Sequence, residues 1–521
     1  MAPFALVLVA LLTAAYGVVG GFVRPAMYSD SGFGFLVWDS MRRGAAFNLM
    51  VFPDPADIAR DTSYFMTTWT PAQQVIPGVL EMLGLDLGQA IIVVVTACSF
   101  IGLWGWYVLA RRLGFSMGTA TAYIAIIAVN RHFTLPFGIY TGGEVPLFAA
   151  APWFFLLVWT SRDLRWSAVL PLVAASLGLV FLKLSGIVLA GAAISAAVLC
   201  GDRPWLSRDT VRKAAVAGVT LGLAAAIFYV AWFARGWTAI SEPTQTDWSK
   251  LPFHTAFTIQ ALWSCMFSFG DLADYVFFFP TRPILTSYDA LYYAMLLPAV
   301  AAFAYAGLRL RVSHPAYFRF ALLAAAAMAA FFILTWVRGS AVSSQERHFR
   351  PISLLLLVGL VEAFLSARSV AVRAVSIAIV GLTGLYGLAS YANHARANLA
   401  DPLGPRGFRY QIATAPLLNH LRTVDVVGSD GSRPVVYLPS PEIALALQHS
   451  RIIATHADFE GKELLRSRVY HGRVPRIYVM LQASLVANGK ADIILRSFVD
   501  YPPEGWTATP VGGFVVYSRQ G

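Results

Sequence analysis

Charge is what this chain has least of. Only 13% of its 521 residues are Asp, Glu, Lys or Arg, about half the share of an ordinary soluble domain. That deficit excludes a water-soluble enzyme of this length, and the mean hydropathy of +0.62 points the same way. Lipid is the solvent for most of the chain. Cysteine is scarce too. Cys98, Cys200 and Cys265 are odd in number and widely spaced, which yields neither a disulfide framework nor a zinc pattern. Cys98 sits inside an apolar run and Cys200 ends one, as packing residues do. No Walker loop, dinucleotide fingerprint or HExxH pair occurs, and no Ser-His-Asp arrangement can be assembled. A nucleotide-dependent cytoplasmic reaction therefore has no visible site. Internal repeats are absent, which weighs against carriers built from repeated halves.

What the chain has is apolar length. A membrane-crossing helix needs about 20 mainly apolar residues. Candidate spans lie near 3–22, 88–110, 117–130, 145–160, 167–181, 185–200, 213–235, 288–308, 318–337, 351–366 and 374–392. The net charge of +11 does not call for nucleic acid as a partner, because basic residues collect in cytoplasmic loops. With the N-terminus inside, the inside loops hold Arg111 and Arg112, Arg162 to Arg165, Arg203 to Lys213, Arg309 to Arg319, and Arg368 to Arg373. An odd span count then puts the C-terminal segment outside. The first span lacks a basic flank and reads as a permanent span rather than a cleaved signal.

Three long stretches fall outside. In the first, about 23–87, Phe35, Trp38, Met41 and Arg42 have helical spacing, the pattern of an amphipathic helix lying on the membrane surface. The second, about 236–287, contains DLADYVFFFPTRP and is expected to re-enter the membrane plane in part. In the third, 394–521, VVYLP, RIIATH, RIYVMLQ, ADIILRSF and GFVVYS read as strands. PEIALALQHS and GKELLRSR read as helices between them. The expected fold is an α-helical polytopic membrane protein with about eleven spans (1–393) and a small extracytoplasmic α/β domain (394–521).

Charged groups at the membrane plane are functional candidates. Asp30, soon after the first span, suits a general base for a hydroxyl. Standing with Ser31 directly before a helical run, it suits an N-cap as well. Asp39 lies four residues before Arg43, the spacing of a helical ion pair. Asp54, Asp57 and Asp61 sit in a Pro-containing turn and suit turn and cap roles. Glu144 opens the fourth span, as a second outer carboxylate or as an acid favoured by the helix dipole. Lys183 divides an apolar run and must lie in a short outside turn. There it snorkels or holds an anionic headgroup, and Gly186 lets backbone approach closely. Glu346, Arg347, His348 and Arg350 crowd the outer start of the tenth span, and the guanidiniums suit phosphate oxygens.

These motifs, in this order and on this side of the membrane, resemble the GT-C superfamily of membrane glycosyltransferases, which includes aminoarabinose transferases and protein O-mannosyltransferases. The resemblance covers the layout of the whole chain and four short motifs. Asp30 and the run to Gly44 resemble an acid followed by a surface helix, with Asp30-Ser31 where the family often has Asp-Glu. Glu144 resembles the acid at the fourth span, where Asp is commoner. Leu182, Lys183 and Gly186 resemble a Leu-Thr-Lys-Gly turn with the glycine displaced. Glu346, Arg347, His348 and Pro351 resemble a Glu-Arg-Tyr segment leading to Pro, with His348 in place of Tyr.

The resemblance implies an inverting glycosyltransferase. It would move a sugar from a polyprenyl-phosphate donor to an extracytoplasmic glycan, lipid or protein at a bacterial inner membrane. Asp30 would take the acceptor's proton. Lys183, Arg347, His348 and Arg350 would hold the donor phosphate. Glu144 would orient the acceptor or assist a divalent cation. A transporter or flippase for a lipid-linked glycan shares the phosphate chemistry, but it would line a path across the membrane with charge. A glycan ligase or polymerase shares the donor. A non-catalytic assembly subunit would have no need of the outer anion-site candidates.

Overall fold

A computed structural model describes residues 2–200, 207–236, 246–272, 288–340, 342, 345–457 and 460–520. All eleven expected spans are helical. They are α1 (Ala2–Val23), α4 (Leu87–Arg112), α5 (Met117–Val129), α7 (Glu144–Thr160), α8 (Val169–Leu182), α9 (Gly186–Leu199), α10 (Arg208–Ala231), α12 (Tyr288–Ser313), α13 (Pro315–Val337), α14 (Arg350–Leu365) and α15 (Val370–Ala400). Among the described residues, six helices are long and apolar enough to cross a membrane: α1, α4, α10, α12, α13 and α15. The remaining five run 13 to 17 residues.

The chain forms two compact units. The first comprises Met1–Val18, Val95–Phe137 and Gly143–Asn393; the second Val19–Val94, Gly138–Gly142 and His394–Gly521. In the first unit the helices pack through small residues. α9 buries Ala190, Ala192, Ala193, Ala196 and Ala197, and its partner α13 buries Ala321, Ala324 and Ala325. Between apolar helices in lipid, close backbone approach of this kind supplies the packing energy. Polar side chains add cross-links: the Tyr123 hydroxyl on α5 donates to the Leu354 carbonyl on α14 at 2.8 Å. Two further helices of this unit are α6 (Arg131–Gly138), up to Phe137, and α11 (Leu251–Phe267). Of the stretch 236–287 expected to re-enter the membrane in part, residues 236 and 246–272 are described and hold α11, while DLADYVFFFPTRP lies outside the described residues apart from Asp271 and Leu272.

In the second unit the expected surface helix is present as α2 (Ser29–Arg42), but protein covers it on both sides. Phe35, Leu36, Val37 and Trp38 are all buried, packed against α3 (Ala72–Met82) and α17 (Pro441–Ala444). The turn-rich stretch after it is a hairpin of β2 (Leu49–Asp54) and β3 (Asp57–Phe65), with Leu49 opposite Phe65 and Asp54 opposite Asp57. Asp54 and Asp57 do serve the turn, accepting from the amides of Ala56 and Ala59. A two-residue parallel pair joins β1 (Ala26–Met27) to β4 (Ile139–Tyr140).

Residues 435–520 build a five-stranded sheet from β5 (Val435–Leu438), β6 (Arg451–Ala454), β7 (Arg476–Gln482), β8 (Thr507–Val511) and β9 (Phe514–Gln520), in the order β6-β5-β7-β9-β8. β5 runs parallel to β6 and β7, while β9 is antiparallel to β7 and β8. The core is Val435, Tyr437, Ile477, Val479, Leu481 and their neighbours. ADIILRSF is not a strand. Ala491–Arg496 is a helix, because Ala491, Ile494, Leu495 and Phe498 are the buried residues, a 3.6-residue period rather than an alternation.

Candidate functional site

Three helix starts in the first unit carry the charged residues. Glu144 opens α7, Lys183 fills the turn between α8 and α9, and Arg350 opens α14 one 3-10 turn after Arg347. Helix N-termini favour negative charge through their free amides and macrodipole. Gly143, just before Glu144, is where the Lys183 turn comes in: a Cβ there would stand 2.7 Å from the Leu182 carbonyl oxygen and 3.3 Å from the Lys183 Cβ. Only glycine permits that approach. Gly186 does the same on the other side of the turn, against the Leu179 carbonyl.

The result is an ion cluster around one carboxylate. Lys183 Nζ lies 2.5 Å from Glu144 Oε1, and Arg347 Nη1 lies 3.3 Å from the same oxygen. The Glu144 side chain is 6% exposed and that of Lys183 15%. Burial pushes the Lys183 ammonium below its ordinary value, and the Glu144 carboxylate opposes the shift. Glu144 is therefore not a free carboxylate; it is the counter-ion that makes burying the lysine affordable. Arg350 and Glu144 both line two small cavities, of about 30 Å³ and about 10 Å³. Their other walls are mostly apolar, including Phe148 and Leu354.

His132, not singled out from the sequence, holds Arg350. Arg350 Nη2 donates to His132 Nδ1 at 3.2 Å, so the imidazole accepts there. Burial first, then the Arg350 and Arg131 charges, push the His132 pKa far below its ordinary value, which keeps the ring neutral and able to accept. Asn130 fixes the ring's position by accepting from the His132 amide at 2.8 Å as an N-cap of α6. Arg131 pairs with Asp271 at 2.6 Å. The available signal was a pair of basic residues directly after the third span. What they touch depends on α11, far away in the chain.

His348 stacks on Phe332, ring centroids 5.1 Å apart. Asp30 belongs to the second unit, in the first turn of α2. The N-cap position of that helix is Tyr28, which makes no side-chain cap hydrogen bond, so Asp30 stands inside the first turn and not at the cap. Asp39 does not pair with Arg43. Arg406 grips both of its oxygens at 2.9 and 2.8 Å and also grips Glu81. Asp61 leaves the turn role expected for it and accepts from Arg451 at 2.7 Å.

One trio offers metal-ligand atoms. His132, Cys265 and Glu346 place one each within 4.8 Å of one another. All three residues are already engaged. His132 accepts from Arg350, the Cys265 thiol donates to the Glu346 carbonyl, and the Glu346 carboxylate accepts from Gln260 and Ser264.

No protein-family model matches the chain, and no curated protein matches it by sequence. Solved structures do. ArnT from Cupriavidus metallidurans in the apo state is similar at a TM-score of 0.55 and 14% identity, over 99% of this chain and 98% of that one. The same protein bound to undecaprenyl phosphate gives 0.56 and 12%, over 98% and 97%. The mycobacterial arabinofuranosyltransferase AftD gives 0.47 and 15%, over 98% of this chain and 41% of that one. The chain has the fold of ArnT along its whole length.

Proposed function

We propose that this protein is an inverting glycosyltransferase that moves a sugar from a polyprenyl-phosphate donor to an extracytoplasmic acceptor: a cell-envelope glycan, lipid or protein. The observation that carries the reading is the cluster of Lys183, Arg347 and Arg350 around the single carboxylate of Glu144, in a chain with the fold of a protein crystallised with undecaprenyl phosphate. Counting the neighbouring Arg131, Asp271 and Glu346, four cations face three carboxylates. With His132 neutral, the cluster keeps one positive charge in excess among the described residues, and a phosphate would complete it.

A glycosyl phosphate already carries a good leaving group, so the protein need mainly position the reactants and take up charge. The acceptor oxygen attacks the anomeric carbon from the face opposite the phosphate. The bond from that carbon to the phosphate oxygen breaks with its electron pair on the phosphate, and the anomeric centre inverts. Lys183, Arg347 and Arg350 stabilise the growing negative charge, with His132 aiming Arg350. Asp30 is assigned the acceptor's proton from its place in the first motif, after the first span. The basic loops between spans support a reaction on the extracytoplasmic face, and the Ala, Gly and Arg usage supports a bacterial inner membrane.

The test is transfer of radiolabelled sugar from a panel of polyprenyl-phosphate sugars to cell-envelope acceptors, by the purified protein and its Asp30→Asn variant. Transfer by the protein that vanishes in the variant is expected. Undiminished transfer by Asp30→Asn would remove Asp30 as the base. No transfer from any donor, with labelled lipid crossing liposome leaflets instead, would replace the transferase with a flippase.

A further inference from the structure

A second positively charged cavity lies wholly within the second unit. It has room for about 360 Å³ between the C-terminal end of α2, the β2–β3 hairpin and the first residues of β6. Three arginines line it: Arg43, Arg433 and Arg451. Two of them are clamped by the fold. Arg433 donates from Nε to the His449 carbonyl at 2.5 Å and from Nη2 to the Ser450 carbonyl at 3.2 Å. Arg451 donates from Nε to Asp61 and from Nη1 to the Ile58 carbonyl, each at 2.7 Å. Its side chain is 10% exposed, yet its Nη2 is buried without a hydrogen-bond partner. A buried donor left without an acceptor is costly, so the guanidinium of Arg451 is not saturated by its protein partners.

The charges do not balance inside the protein. The cavity's carboxylates are Asp39 and Asp61. Asp39 is held by Arg406, and Asp61 answers Arg451, which leaves the guanidiniums of Arg43 and Arg433 without a matching carboxylate in the cavity. Burial and then the Arg43 charge push the Arg433 pKa below its ordinary value. Guanidiniums gathered in this way pair with oxyanions through their planar forks. The volume is that of a small-molecule site, and Met50 and Phe52 on the hairpin give it an apolar wall suited to the C–H face of a sugar ring.

We infer that Arg43, Arg433 and Arg451 form a binding site for an oxyanion, phosphate or carboxylate, borne on a saccharide. The site is independent of the donor cluster, and the inference stands or falls separately from the transferase reading.

The experiment is isothermal titration of the full-length protein in nanodiscs with glucose 1-phosphate, with glucuronate and with uncharged glucose. Either anion is expected to bind while glucose does not, and the better of the two names the oxyanion. Arg433→Gln and Arg43→Gln are each expected to weaken binding about tenfold, the loss of one charge-assisted contact. Arg466→Gln, on another basic surface of the same unit, is expected to leave it unchanged. Arg43 is exposed on the end of its helix, so its variant decides the matter even where Arg433→Gln fails to fold. Absence of binding by both anions, or equal binding by the Arg43 variant, would overturn the site.

Discussion

Each unit of this protein buries an ion cluster, and the two are built on opposite charge rules. In the second unit Arg406, 9% exposed, donates to both Asp39 and Glu81, and Arg42 adds a second cation at 3.2 Å from Glu81. The Trp38 indole donates to the same carboxylate. Two cations meet two carboxylates, and nothing is left over. In the first unit Lys183, Arg347 and Arg350 gather around Glu144, and even with the next shell counted one positive charge remains. A balanced cluster is complete in itself and holds α2, α3 and the 394–410 segment together. An unbalanced one is, on the function proposed, where the donor's phosphate binds. Burial alone does not separate the two; the charge count does.

The comparison can be broken in three ways. Arg406→Ala strands two buried carboxylates and is expected to cost about 3–5 kcal/mol of stability, read as a fall in apparent unfolding temperature. Transfer per folded molecule should be unchanged, and adding Asp39→Asn and Glu81→Gln should recover much of the loss. A specific loss of transfer in the folded fraction would show that this cluster also binds substrate. Lys183→Met is expected to lower transfer about 10²–10³-fold, the effect of removing one stabilising donor from a developing oxyanion. The double variant Lys183→Met with Glu144→Gln should regain stability without regaining transfer. Recovery of both would make the first cluster as structural as the second. Last, Arg60 pairs with Asp57 at 3.4 Å but is 83% exposed. Arg60→Ala is expected to shift stability by less than about 0.5 kcal/mol, and a shift as large as that of Arg406→Ala would undo the distinction between buried and solvated pairs.

Much of the architecture was legible because its signals are local. Apolar runs long enough to be helices became helices, and VVYLP, RIYVMLQ and GFVVYS became strands. Lys183 fell in a turn because it interrupts an apolar run. Where reading failed, short-range pattern was ambiguous. The β2–β3 hairpin looked like a loop because its Asp-Pro-Ala-Asp turn is louder than its short strands. ADIILRSF has β-branched residues, yet its burial period is helical. Asp39 offered a plausible partner four residues away, and lost it to Arg406 in a part of the chain where no spacing rule reaches.

The sequence by itself determined that this is a membrane protein, which long apolar runs are helical, and that basic groups gather at the starts of particular helices, since hydropathy and charge are properties of neighbours along the chain. Which cations share which carboxylate was decided only by tertiary structure. Glu144 is joined to Lys183 and Arg347, Arg350 to His132, and Asp39 to Arg406, because charge pairing in a buried site depends on distance in space. Helices far apart in the chain had first to pack before any of those distances existed.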